Sequence, residues 1–95
     1  MSLYAVTYAY TDDTELADQV RPVHRGFLSG LFASGSLLAS GPVSSGDMRG
    51  ALIIVRADSE QGALDLLETD PFNEAGVVAD RAAVAWTCVY GPWSE

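Results

Sequence analysis

Side chains alternate in character at every second residue near both ends of the chain, which is the period of a β-strand. The first predicted strand runs from Leu3 to Tyr10, and one side of it carries Tyr4, Val6, Tyr8 and Tyr10. The last lies in DRAAVAWTCVYG, residues 80–91, where one side carries Val84, Trp86, Cys88 and Tyr90. Gly91 and Pro92 then end this strand, because neither residue favours continued pairing.

Two further strands are predicted in the middle of the chain. The segment SLLASGP, residues 36–42, gives a short strand that ends at Gly41 and Pro42, and VSSGDMRG after it forms a loop or hairpin. The run ALIIV, residues 51–55, is rich in β-branched residues and apolar on both faces, so it also predicts a strand.

Two other segments repeat apolar residues with the period of a helix. The first has its stripe at Val20, Val23, Phe27, Leu28, Leu31 and Phe32, and Gly35 follows as a left-handed cap. Because Pro22 would cost about 3 kcal/mol inside a helix, the main helix is predicted to begin there, after a separate turn at residues 14–19. The second helix follows a cap at Asp58 or Ser59 and turns inward Ala63, Leu64 and Leu67.

The element order is therefore βαββαβ over a single domain, residues 1–95. This order predicts an α+β, ferredoxin-like fold, with a four-stranded antiparallel sheet and two helices on one face. The other face is left uncovered although its strands carry apolar side chains, so we predict a homodimer closed sheet to sheet. The alternative is that scattered apolar residues are simply exposed, as is common for single side chains.

Composition narrows the classes of partner and cofactor. The chain has a formal net charge of −8 at pH 7 and no lysine, which argues against nucleic acid and anionic membrane surfaces, since phosphate binding relies on clustered basic residues. Cys88 is the only cysteine, so an intrachain disulfide and a Cys/His zinc site are both excluded. No calcium-type loop is present either, and we expect no metal and no cofactor.

The amino-acid sequence also contains no recognisable secretion signal or membrane-spanning segment. Apolar residues make up 48% of the chain, well above disordered sequences. No window approaches the roughly 20 consecutive apolar residues of a membrane-spanning helix. The opening MSLYAVTYAY lacks the basic start and cleavage pattern of a secretion signal. The sequence therefore predicts a soluble, globular protein of the cytoplasm.

The segment RPVHRG, residues 21–26, places the one histidine between two arginines. In a helix that begins at Pro22, His24 lies on the apolar stripe and points toward the sheet. Helix-end amides, Arg21 and Arg25 all disfavour a proton on the ring, which leaves a neutral imidazole able to act as a base and a positive site for a small carboxylate or enolate. The alternative is a core histidine bonded to the backbone, with the arginines paired to carboxylates.

The segment TDPFNEAG, residues 69–76, supplies a carboxylate in a constrained setting. Asp70 precedes Pro71 and is held in extended geometry just after the second helix. A purely structural role is open to it, as the N-cap of a short turn begun by Pro71 and closed at Gly76. Structural roles are also favoured for Cys88, as a buried thiol, and for the tyrosines of the first strand, as packing at the dimer interface. The alternative for these tyrosines is that they line a cavity and donate hydroxyl hydrogen bonds.

These motifs, with LYAVTYAY, GSLLASGPV, the strand–helix unit GALIIVRADSEQGALDLLETDPFNEAGV and VAWTCVYG, resemble the YCII-related family over nearly the whole chain. The resemblance implies a dimeric ferredoxin-like α+β barrel similar to muconolactone isomerase. It also implies an active site made of a histidine and an aspartate, which map onto His24 in RPVH and Asp70 in TDPF. Some members resemble dehydrochlorinases that act on chlorinated aromatic breakdown products.

The resulting hypothesis is a cofactor-independent lyase or isomerase that acts beside a carbonyl on an anionic aromatic-derived or keto-acid substrate. His24 would remove a proton, Asp70 would orient the ring, and Arg21 would bind the anionic end of the substrate. Backbone amides in the segment of Gly41 and Pro42, or near the start of the helix, would help an enolate oxygen.

Two alternatives stay open, and neither needs turnover. One is a non-catalytic module of the same fold that binds a small anion, or an accessory subunit, which the lack of a nucleophile, metal or cofactor motif favours. The other is a chain that only dimerises, with His24 in its core, and it predicts no cavity beside that residue. Arg25 is the weaker binding candidate, since it points to solvent one position further round the helix.

Overall fold

The computed structural model describes residues 2–94. Within them four strands form one antiparallel sheet in the order β2-β3-β1-β4, with bounds β1 Ser2–Tyr10, β2 Leu37–Ser45, β3 Met48–Ala57 and β4 Val78–Trp86. The same residues contain three helices, α1 Thr14–Ser34, α2 Glu60–Leu66 and the single turn α3 Pro71–Glu74. The helices lie on one face of the sheet, which confirms the predicted α+β, ferredoxin-like class.

The core lies between that sheet face and the helices. Its main cluster of buried residues is Tyr4, Val6, Tyr8, Leu37, Ala51, Ile53, Val55, Ala57, Ala63 and Leu67. The inward side of β1 is therefore the side that carries the tyrosines, so their predicted place at a dimer interface is wrong. Tyr4 and Tyr8 face the helices, and burial of their large rings between sheet and helices removes apolar surface from water.

Helix α1 begins at Thr14 rather than at the predicted Pro22, and Asp13 caps it by accepting from the amide of Leu16 at 3.0 Å. The first turns are held by tertiary packing, because Ala17 is buried in a second cluster with Phe72 and Val77. Burial of this apolar surface offsets the hydrogen bond that a proline cannot donate. The prediction relied on a local rule and omitted that compensation. Because α1 begins at Thr14, Pro22 and His24 lie inside the helix, and the helix-end amides predicted beside them are wrong.

Further along α1 the apolar stripe is narrower than predicted. Phe27, Leu28 and Leu31 pack against the main cluster, whereas Val23 and Phe32 have exposed fractions of 62% and 63%. One residue's rotation around a helix is enough to turn a side chain from the sheet to solvent. The caps were predicted correctly, since Gly35 has φ 85° at the end of α1, and the start of α2 is capped by Ser59.

The connection between β2 and β3 is a tight hairpin, and β2 continues to Ser45 before a turn at Gly46. The predicted end of this strand at Gly41 and Pro42 is therefore wrong. A proline is tolerated here because β2 is an edge strand, where a missing N–H need not interrupt the sheet. The extension brings the second half of β2 alongside the N-terminal half of α1, where both line the same cavity.

Strand β4 ends at Trp86, earlier than the pattern predicted. The residues after it have no strand pairing, and Cys88 is buried with an exposed fraction of 3%, as expected of a structural thiol. Tyr90, predicted to continue the strand, is 96% exposed. The alternation of large residues in the sequence therefore extends beyond the strand itself. After the strand, the ring of Trp93 packs edge-on against the ring of Trp86.

The two central strands approach closely at Gly50, which pairs with Ala9 of β1. A Cβ atom at this position would collide with the carbonyl oxygen of Tyr8, so a side chain could be accommodated only if the strands moved apart. Arg49 precedes this glycine on β3, so it lies near the end of β1, where Tyr10 is the last residue.

The sheet face opposite the helices exposes large apolar side chains. Leu52, Val84 and Trp86 have exposed fractions of 39%, 57% and 38%. They belong to β3 and β4, and the register through β1 places them on the same side of the sheet. Among residues 2–94, no helix has the length and apolar character needed to cross a membrane.

Replacing Pro22 with alanine is expected to stabilise the protein by about 2 kcal/mol. The alanine restores a helix-interior donor, and the gain is reduced because the unfolded chain becomes more flexible. Urea unfolding followed by circular dichroism measures the change, with Pro92→Ala, outside the helices, as the control. An unchanged or lower unfolding free energy for Pro22→Ala would contradict this account of α1.

Candidate functional site

Asp70 is the most completely buried charged side chain of the site, with an exposed fraction of 0%. It lies just before α3 and caps it, because its Oδ1 accepts from the amide of Phe72 at 3.0 Å. The structural role foreseen for this aspartate is therefore present. The cap also fixes the direction of the carboxylate, since Pro71 at the start of α3 restricts the backbone next to it.

The same Oδ1 atom lies 2.7 Å from Nδ1 of His24, which comes from α1 and is 46 residues away in sequence. A carboxylate can only accept, so Nδ1 carries the proton that is shared in this bond. In the neutral ring the lone pair then lies on Nε2, on the other side of the imidazole. The predicted proximity of the two residues is thus present, while their catalytic roles stay predictions.

Tyr8 of β1 holds the second carboxylate oxygen, as its hydroxyl donates to Oδ2 of Asp70 at 2.8 Å. Burial of the phenol raises the pKa of Tyr8 far above its ordinary value, and the nearby negative charge of Asp70 raises it further. Tyr8 therefore stays a protonated donor at neutral pH. Hydroxyl donation was the alternative to interface packing for the tyrosines of the first strand, and Tyr8 makes such a hydrogen bond.

Phe72 fixes the imidazole from the side. Its ring stacks on that of His24 with the centroids 3.9 Å apart and the planes 4° from parallel. Phe72 is itself 1% exposed, so it cannot swing away without opening the second cluster. The segment from Asp70 to Phe72 thus supplies both the hydrogen bond and the stacking surface that orient His24.

Beside the imidazole is a cavity of about 440 Å³ between the first half of α1 and the strands β2 and β3. The lining residues are Tyr10, Arg21, His24, Arg25, Leu28, Ser40, Gly41, Pro42, Val43, Ser44, Arg49, Gly50, Ala51, Ile53 and Phe72. This contradicts the interpretation of His24 as a core residue without a cavity. A volume of this size is typical of small-molecule sites.

The charges around the cavity are all positive. Arg21, Arg25 and Arg49 line it, and the lining residues include neither aspartate nor glutamate. Asp70 is bonded to His24 and is not among the lining residues, although its charge also raises the pKa of Tyr10, which lines the cavity. In a chain of net charge −8, this gathers three of five basic residues at one site.

The predicted binding residues are placed as follows. Arg21, Gly41 and Pro42 all line the cavity, on α1 and β2. Arg21 also pairs with Asp18 one turn earlier in α1, which partly neutralises its charge. Arg49 was not predicted, because nothing in its local sequence distinguishes it from a solvent-facing arginine on a strand.

No metal centre is indicated in the part of the chain that the structure describes. Residues 2–94 contain no group of three histidine, cysteine, aspartate or glutamate side chains close enough to hold an ion. The chemistry available to the site from these residues is proton transfer and electrostatic stabilisation by arginine.

Fold and site together define an α+β, ferredoxin-like protein with a histidine–carboxylate pair beside a cavity of small-molecule size. The family model for the YCII-related domain matches residues 1–87, and the chain belongs to this family. The resemblance of its motifs is thereby confirmed. The comparison with curated proteins gives no significant match.

Among solved structures, the chain is similar to 5-chloro-2-hydroxyhydroquinone dehydrochlorinase (TftG) from Burkholderia phenoliruptrix AC1100, in complex with 2,5-dihydroxybenzoquinone. The TM-score is 0.74 at 22% sequence identity, and the match covers 98% of this chain and 99% of the other. At this identity the likeness supports the fold.

Because the pKa of Tyr8 is raised, the protein is expected to lose stability in alkali. The unfolded chain releases this proton near the ordinary value of 10.0, whereas the folded chain retains it. The contribution is therefore complete below pH 10.0, and above it the unfolding free energy falls by about 1.4 kcal/mol per pH unit.

Tyr8→Phe should lessen this fall, as measured by urea unfolding on both sides of pH 10.0. Some slope will persist, because burial also raises the pKa of Tyr10. The control is Tyr90→Phe, whose ring is 96% exposed and should leave the slope unchanged. Equal slopes in the wild type and Tyr8→Phe would show that Tyr8 is not the group responsible.

Proposed function

We propose that the protein is a small-molecule lyase or isomerase in which His24 is the general base at a carbon next to a carbonyl. The observation that carries the proposal is the pairing of Nδ1 of His24 with Asp70 at 2.7 Å, which leaves Nε2 for the cavity. A base must reach a proton from an orientation that the protein has already set. Asp70 and Phe72 provide that orientation.

Asp70 acts as a positioning residue and does not touch the substrate. When Nε2 takes a proton the ring becomes an imidazolium, and the carboxylate at Nδ1 stabilises the new charge. Tyr8 holds Oδ2 and keeps the carboxylate from rotating. The three side chains therefore act as one hydrogen-bonded unit.

The proposal covers two reactions, an elimination and an isomerisation, which share their first step. Nε2 of His24 takes the proton, and the electrons of the broken C–H bond pass into an enolate whose oxygen the positive wall of the cavity stabilises. In an elimination, those electrons then form a carbon–carbon double bond while the leaving group departs with its bonding pair. In an isomerisation, His24 returns the proton to a different carbon.

The proposed substrate is a small planar anion, either a hydroxylated quinone derivative or an aromatic keto acid. The arginine-lined cavity supports an anion, and its volume of about 440 Å³ suits a single-ring compound. TftG, which has the same fold, binds 2,5-dihydroxybenzoquinone, a vinylogous acid that is anionic at neutral pH. Gly41 and Pro42 form part of the opposing wall.

The test follows proton removal itself. The protein is incubated in deuterium oxide with phenylpyruvate, and separately with 5-chloro-2-hydroxyhydroquinone, and exchange and chloride release are measured by NMR and ion chromatography. His24→Gln is expected to lower the rate of exchange or of chloride release, whichever the wild type shows, by about 100-fold or more, because a positioned base contributes that much. Asp70→Asn keeps the cap through Oδ1, but it removes the charge and also replaces the acceptor of the Tyr8 hydroxyl with an amide donor, so Tyr8→Phe and Asp58→Asn on the surface are its controls.

Activity that survives unchanged in His24→Gln would exclude the proposed base. Binding of either compound to the wild type without exchange or elimination would instead favour the alternative function, a non-catalytic module that holds a small anion. Calorimetry on the same samples separates these outcomes.

We also propose that the protein acts as a homodimer closed through the open sheet face. The face measures roughly 600 Å² from the spacing and length of its strands, which approaches the about 800 Å² per partner of a stable interface. Leu52 on β3 and Val84 and Trp86 on β4 supply its exposed large apolar side chains. A second copy offers the same surface, as an isologous interface requires.

Light scattering after size-exclusion chromatography should give twice the chain mass of 10.1 kDa. Val84→Glu is expected to yield the monomer, because it places a charge among the exposed apolar side chains of the proposed interface. Val89→Glu, which changes an exposed residue outside the strands, is the matched control. A monomeric wild type, or a dimeric Val84→Glu, would contradict the proposal.

A further inference from the structure

Arg49 has an unmet hydrogen-bonding capacity inside the cavity. Its Nη2 atom is buried, and it has no hydrogen-bond partner among the residues that the structure describes. A buried guanidinium nitrogen without a partner is costly, and such groups are ordinarily satisfied by a carboxylate, a carbonyl or an ordered ligand. The side chain therefore points to an acceptor that the chain itself does not supply.

The other arginines near the site differ in this respect. Arg21 pairs with Asp18. Arg81 of β4 pairs with the carboxylate of Glu68 and donates to the carbonyl of Leu64. Arg25 is exposed on α1. Arg49 is accordingly the cavity cation that combines burial of a donor atom with the absence of a carboxylate partner in the described residues.

The surroundings of Arg49 support an anion rather than a neutral group. It lies on β3 opposite Ser44, on the sheet face that meets α1, and both residues line the cavity with His24. Burial and then the negative charge of Asp70 raise the pKa of Tyr10, and the charges of Arg21 and Arg49 lower it by less, so the phenol lies within the field of both cations. Tyr10 remains a neutral donor beside the guanidinium.

We propose that Arg49 binds the anionic group of the substrate and makes the cavity selective for small carboxylates, enolates and phenolates. The proposal rests on the proposed function in placing this anion beside His24. A planar guanidinium can donate two parallel hydrogen bonds to a carboxylate, which lysine or a neutral residue cannot do. Arg49 then takes the role that the sequence assigned to Arg21.

The test compares two ligands of nearly the same shape, salicylate and the neutral salicylamide, by isothermal titration calorimetry. Wild-type protein is expected to bind salicylate more tightly. In Arg49→Met the dissociation constant for salicylate should rise about 10- to 100-fold, as expected for loss of a charge-assisted hydrogen bond, while that for salicylamide is unchanged. Asp58→Asn, which changes the net charge by one unit at an exposed residue outside the cavity, is the control for net charge.

Unchanged salicylate affinity in Arg49→Met, or equal binding of the two ligands by the wild type, would overturn the proposal, as would no binding at all. If circular dichroism shows that Arg49→Met does not fold, the proposal is tested on the wild-type protein by NMR. There the side-chain N–H signals of Arg49 must shift with salicylate and not with salicylamide, and the absence of this difference also overturns the proposal.

The outcome is separable from that of the proposed function. His24→Gln should retain selective binding of salicylate while losing proton exchange, since Arg49 and the base are on different elements. Exchange that depends on His24 together with salicylate binding that ignores Arg49 would overturn this inference alone. Selective binding that depends on Arg49 without any exchange would leave it standing and overturn the catalytic proposal.

Discussion

The buried carboxylate of Asp70 is the interaction on which the site depends. It is 0% exposed, and its two oxygens accept from the amide of Phe72, the imidazole of His24 and the hydroxyl of Tyr8. Burying such a group is costly unless its lone pairs meet donors, so the three elements that carry those donors must be in register. The orientation of the histidine is therefore coupled to the packing of α1, α3 and β1.

The distribution of charge separates two tasks. The negative carboxylate lies behind the imidazole, where it can stabilise a proton on the ring, and the arginines face the cavity, where they attract an anion.

Local signals predicted the elements better than their limits. The caps at Gly35 and Ser59 and the alternation along β1 follow from turn chemistry and strand geometry, which need only neighbouring residues, whereas the side of β1 that faces the core was predicted wrongly. Pro22 and Pro42 misled the prediction for the opposite reason. Packing of Ala17 sustains the helix ahead of one proline, and the edge position of β2 accommodates the other, and both compensations come from residues distant in sequence.

The sequence by itself determined the order βαββαβ, the inward face of His24 and the capping position of Asp70, because helical period, strand alternation and an Asp-Pro turn act over a few residues. Only the tertiary structure decided that the imidazole and the carboxylate meet across 46 positions, that Tyr8 completes their hydrogen bonding, and that Arg49 turns toward the same cavity. Such contacts depend on sheet register and on the seating of α1, which are set by packing throughout the core rather than by any local pattern.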